Sequence, residues 1–153
     1  MIKAHWVAVC MAVGGLIASL PAMAAEQAGM IKVSMGLVNI ERDGKKLAAE
    51  VGTPVLVADR IRTAADGSVG VTLRDNTLLS AGPNSLIIID RFAFDNTTQD
   101  GNMSVSIRKG TLSVASGKIA KRTPESVDFH TPTSVLGVRG TEFIIEVLGG
   151  SDE

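Results

Sequence analysis

The sequence predicts an all-β protein: a short roll or solenoid-like stack of β-arches and hairpins, with a β-sandwich as the alternative. Three observations lead there. Apolar and polar residues alternate with period two along much of the chain, the pattern of half-buried strands. Turn dipeptides interrupt that pattern about every ten residues. The only helical candidate is the short stretch Lys45 to Val51, which reads equally well as loop. The chain has 153 residues, 45% of them hydrophobic and 20% charged, which is one domain's worth of foldable sequence.

The first 24 residues are expected to lie outside the fold. Lys3 and His5 precede an uncharged apolar run from Val7 to Leu20. Pro21 ends the run, and Ala22-Met23-Ala24 follows as an A-x-A cleavage signal. At about 1.5 Å per residue in a helix, the run is too short to cross a hydrocarbon core of about 30 Å. The layout therefore predicts a secretory signal peptide cut before Ala25, and a periplasmic or secreted product with no membrane span. Cys10 lacks the small residues of a lipobox before it. Cleavage removes Trp6 and Cys10, leaving four Phe as the only aromatic residues and no cysteine for disulfides or zinc.

Strand by strand, Ile31, Val33 and Met35 alternate with Lys32 and Ser34, and Val38 and Ile40 with Asn39 and Glu41. Val69, Val71 and Leu73 form a third set; Met103, Val105 and Ile107 a fourth. Leu86 to Ile89 is continuously apolar, as in a strand buried on both faces. Phe143, Ile145 and Val147 share one face, with Glu142 and Glu146 on the other. Asp43-Gly44, Asp66-Gly67 and Asp100-Gly101 are turn dipeptides suited to positive φ; Asp75-Asn76 and Gly82-Pro83-Asn84 are further breaks. Asp95 to Asn102 reads as an exposed tip, and Ala120 to Ser126 as a second polar stretch. Arg108-Lys109-Gly110-Thr111 is loosely echoed by Arg139-Gly140-Thr141, each before an apolar strand.

Chemistry-bearing constellations are sparse, and no catalytic, cofactor or metal residues are expected. His130 is the sole histidine after residue 24, two positions from Asp128 and so on the same strand face. No G-x-S-x-G elbow accompanies them. The oxygen ligands of the Asp95 to Asn102 loop lack EF-hand spacing. No phosphate-binding glycine motif occurs. A balance of 15 Lys and Arg against 16 Asp and Glu gives no electrostatic footprint for nucleic acid.

The stretch Val127 to Val147 (VDFHTPTSVLGVRGTEFIIEV) is the most distinctive. It resembles the C-terminal "TPxxxxGVRGTxF" hallmark of the FecR-like periplasmic domain family, at Thr131, Pro132, Gly137, Val138, Arg139, Gly140, Thr141 and Phe143. Upstream, Gly36 to Arg42 is similar to "GxVxxxR". Gly52, Asp59, Ile61 and Thr63 fit "GxxLxxGDxIxT". Asp75 and Ser85 fall in register with a third segment. Ala58 and Asn76 stand where the family has glycine. The resemblance covers residues 31–148, leaving a tail of 25–30 and another of 149–153. It implies a stand-alone FecR-like domain without the anti-sigma segment, membrane helix or further domain of the founding type.

The implied function is a non-catalytic, exported interaction or sensing domain with an envelope or membrane protein as partner. The alternative is a structural envelope component that self-associates through β edges, as a homo-oligomer. Thr131, Pro132, Gly137, Arg139, Gly140, Thr141, Phe143 and Asp59 are the residues expected to have structural or partner-contacting roles. Arg139 has two readings: a turn arginine paired with Glu142 or Asp59, or an exposed anchor for a partner.

Overall fold

A computed structural model describes residues 25–149. The leader expected over residues 1–24 lies outside the described residues. The described residues form twelve strands: β1 (Gln27–Met35), β2 (Val38–Arg42), β3 (Lys45–Ala48), β4 (Pro54–Leu56), β5 (Arg60–Thr63), β6 (Ser68–Leu73), β7 (Leu78–Ala81), β8 (Leu86–Phe94), β9 (Gly101–Ala115), β10 (Val127–His130), β11 (Val135–Gly137) and β12 (Glu142–Val147). One short helix, α1 (Lys118–Arg122), and a 3-10 turn at Pro124–Ser126 link β9 to β10. The all-β class stands, in the form of a curled, open antiparallel sheet.

The sheet has two wings that share β9. One wing runs β3–β2–β5–β8–β9–β10–β11; the other runs β4–β1–β6–β7–β9–β12. All pairings are antiparallel except β9 with β10. The first half of β9 lies between β8 and β10, and its second half between β7 and β12. The wings curl over a common core that includes Ile31, Ile61, Leu79, Phe92, Ile107 and Leu112.

β9 changes wings at Gly110, whose φ of +88° suits glycine and almost nothing else. A Cβ there would lie 2.1 Å from Ser85 Oγ. Ser85 Oγ accepts from Thr111 N at 3.0 Å, and Ser85 N donates to Thr63 Oγ1 at 2.9 Å. Thr63 Oγ1 in turn donates to Gly82 O at 2.7 Å. This buried chain of hydroxyls satisfies the backbone groups that the bend removes from the ladder.

Most of the expected alternation holds, notably over β2, β6 and β12. Leu86, Ile87 and Ile89 are buried as the continuous run requires, with Ile88 half-buried. β1 departs from its pattern. A bulge between Ile31 and Val33 reverses the faces, so Ile31 is fully buried while Val33 and Met35 are exposed. Lys45 to Val51 is not helical: its first four residues form β3, which closes a hairpin on β2 through the left-handed turn Asp43-Gly44. The helix lies instead at Lys118–Arg122, running into the Ala120 to Ser126 stretch read as polar. Asp66-Gly67 and Asp100-Gly101 turn without positive φ; at the latter, Gln99 takes it. Gly101 is required for another reason, since a Cβ would meet Ala93 O at 2.2 Å.

Candidate functional site

The family-like residues separate into two groups by what surrounds them. The polar residues of the upstream group, Asp59, Thr63, Asp75 and Ser85, are buried and internally satisfied. Asp59, 1% exposed at its side chain, receives Arg42 as a two-pronged pair: Nε to Oδ1 at 2.8 Å and Nη2 to Oδ2 at 2.7 Å. Leu56 N also donates to Asp59 Oδ2 at 2.8 Å, and Arg42 Nη2 to Pro54 O at 3.0 Å. The bond to Asp59 pushes the Arg42 pKa further above its ordinary value, against the opposing effect of burial. The register that sets Glu41 against Arg60 carries Arg42 to the β4–β5 turn that holds Asp59. Ala58, just before Asp59, is in the left-handed region at φ +74°.

Asp75 is equally committed. Its carboxylate accepts from Thr77 N, Thr77 Oγ1 and Ile119 N, and its carbonyl accepts from Lys118 N at 2.8 Å. It therefore fastens the start of α1 to the β6–β7 turn. Asn76 takes the left-handed conformation at φ +68°, as expected of a residue that tolerates it.

The C-terminal group is arranged differently. Thr131 N and Oγ1 both donate to Ser134 O, closing the β10–β11 turn that exposes Pro132. Gly137 ends β11, with open space where its Cβ would be. Val138 turns inward and is 6% exposed. Gly140 has φ +113° with nothing near its missing Cβ, so conformation and not crowding selects glycine. Gly140 O and Thr141 O accept from Ser116 Oγ and Ser116 N. Phe143 packs edge-on against Phe129 at 5.3 Å between ring centres, joining β12 to β10.

Arg139 is exposed and makes no ion pair among the described residues. Its expected pairing with Asp59 is corrected by the structure, because both Asp59 oxygens are taken by Arg42. Glu142 does not hold it either. Arg139 instead lines an open cleft of about 1090 Å³ bounded by α1, the 3-10 turn, β11 and β12. Leu136, Val138, Phe143, Ile144 and Ile145 supply its apolar lining, and Lys121, Glu125 and Arg139 its charges. The two strands beside the cleft, β11 and β12, are both sheet edges with one neighbour each. Lys121 falls in the Ala120 to Ser126 stretch that reads only as polar; nothing in the sequence places it opposite Arg139's segment.

Asp128 and His130 do share a face, 3.8 Å apart, but Asp128 also meets Arg91 at 3.5 Å in solvent. In the polar hollow beside them, the Ser106 hydroxyl donates to Asp90. In the 95–102 loop, Asp95 Oδ1 accepts from Thr97 N and Thr98 N, which hold its carboxyl below the usual aspartate range, Thr98 most. Asp100 pairs with Arg122 at 2.7 Å. No group of three or more metal-ligating side chains gathers among the described residues. No helix among them is long and apolar enough to cross a membrane.

Fold and site together define a small all-β domain with an apolar, open-edged cleft at its C-terminal side. The family model described as FecR protein matches residues 59–153, more than half of the sequence, and the chain belongs to that family. No curated protein and no solved structure matches it. The family match begins at Asp59, yet Arg42 of the preceding segment is bonded to that same residue.

Proposed function

We propose that this chain is a non-catalytic, exported interaction or sensing domain, and that the cleft beside β11 and β12 receives a protein partner of the cell envelope. One observation carries the reading. The upstream motif residues spend their polar groups inside the fold, while Arg139 of the C-terminal motif spends none and stands at an apolar cleft between two free edges. Arginine is among the residues enriched at interaction hot spots, which cluster in pockets. FecR membership supports a signalling role. Export rests on the Val7 to Leu20 run and the A-x-A signal.

The test is a photo-crosslinking residue at Leu136, which lines the cleft and is partly exposed, in living cells of the source. Capture of one discrete envelope protein, lost on Arg139→Ala with the fold intact, is the expected result. Capture of nothing at the cleft would overturn the reading. Mass analysis of the exported protein should find Ala25 at its amino end; retention of residues 1–24 would overturn the leader assignment.

A further inference from the structure

The free edge of β12 is selective in the strand it can accept. Its inner edge is bonded to β9 from Glu142↔Ala115 to Val147↔Gly110, and its outer edge has no neighbour among the described residues. An open edge carries unpaired N–H and C=O groups and will template another strand unless something prevents it. On its outward face, Glu142 and Glu146 are exposed and Ile144 between them is 71% exposed. Neither glutamate forms an ion pair among the described residues.

That spacing decides what can pair. Residues directly opposite one another on adjacent strands interact strongly, and like charges there repel. If a second copy added its β12 antiparallel and centred on Ile144, each Glu142 would face the copy's Glu146, twice over. Shifting the register by one pair either way sets a glutamate against the copy's Ile144, which desolvates a carboxylate without a partner. The edge is thus closed to its own kind and open to the complementary pattern.

We propose that β12 accepts one added strand from a protein partner, an extended segment that reads cation–x–apolar–x–cation on one face. The two cations meet Glu142 and Glu146, the apolar side chain covers Ile144, and the backbones complete the ladder. This deepens the reading of the cleft as a partner site and rests on it.

Two fluorescent peptides test it. One has two lysines flanking a valine at alternate positions, with threonine between them; its twin has glutamates in place of the lysines. The lysine peptide should bind the purified protein about tenfold more tightly than the twin at low salt, two cross-strand pairs having changed from opposite to like charge. It should also slow amide exchange along β12. The surface double variant Glu142→Lys/Glu146→Lys should reverse the preference while keeping the unfolding midpoint.

No binding, equal binding of the two peptides, protection elsewhere than β12, or a preference the double variant leaves unreversed would each overturn the proposal. Glu146→Lys alone makes the edge self-complementary, so it should drive the protein to a dimer by sedimentation. A variant that stays monomeric at millimolar concentration counts against an accepting edge. A native protein already dimeric through β12 would replace the partner with a second copy. The crosslinking at Leu136 separates the two levels. If it captures a discrete partner while the peptides fail, strand addition falls and the interaction reading stands; if the cleft captures nothing, that reading falls.

Discussion

Asp59 and Ala58 are neighbours with opposite energetic roles. Asp59 holds Arg42 and the Leu56 amide from a buried position, so Asp59→Ala leaves a cation and a backbone donor without their acceptor. That loss should cost about 3 kcal/mol of stability, read as a lower denaturant midpoint. Ala58 is strained, because its Cβ disfavours φ +74°. Ala58→Gly should therefore stabilise by about 1 kcal/mol. Asn76→Gly, at the other position where the family has glycine, should change stability by no more than about 0.5 kcal/mol, because asparagine tolerates the same region. A stabilising Asn76→Gly with a neutral Ala58→Gly would contradict this ordering.

Among the elements, β9 is the one whose local geometry decides the architecture. Gly110 combines a left-handed backbone with a contact that admits no side chain. Gly110→Ala should cost more than about 3 kcal/mol or prevent folding, whereas Gly44→Ala, with open space around it, loses only the conformational preference. Circular dichroism with urea titration would separate the two. The strands themselves were legible where the alternation was unbroken, as in Val69 to Leu73. The faces of β1 were not, because one bulge after Ile31 exchanges them and leaves no mark in composition. α1 was missed because its five residues carry no helical period and its start is held by Asp75, more than forty residues earlier. The C-terminal motif was legible through its resemblance. The cleft was not, since β11 and β12 are consecutive yet do not pair with each other, and the α1 region that completes the cleft is brought there only by the tertiary fold; nor was the Arg42–Asp59 pair, which depends on the β2–β5 register.

At the scale of the whole molecule, the two wings have no independent cores. Leu79 of one wing and Ile61 of the other belong to the same buried cluster, and β9 is a member of both wings. Leu79→Ala and Ile61→Ala should each cost about 2–5 kcal/mol. Each should also leave a single cooperative unfolding transition. With neither tryptophan nor tyrosine after residue 24, amide spectroscopy or an introduced fluorophore must report it. Two separated transitions, one per wing, would contradict the shared core.

The placement of β12 has a consequence for biosynthesis. Ribosomes deliver the chain from its amino end, so β9 is complete well before the strand that flanks its second half. Until Glu142–Val147 emerges, the stretch from Gly110 to Ala115 has one bare side, and Phe129 lacks the ring that closes over it. A nascent or prematurely terminated chain thus displays an uncharged apolar edge that the finished molecule covers with a strand bearing two glutamates. The last strand to arrive converts a sticky intermediate into a guarded one, which makes carboxy-terminal truncation a route to aggregation and proteolytic clearance.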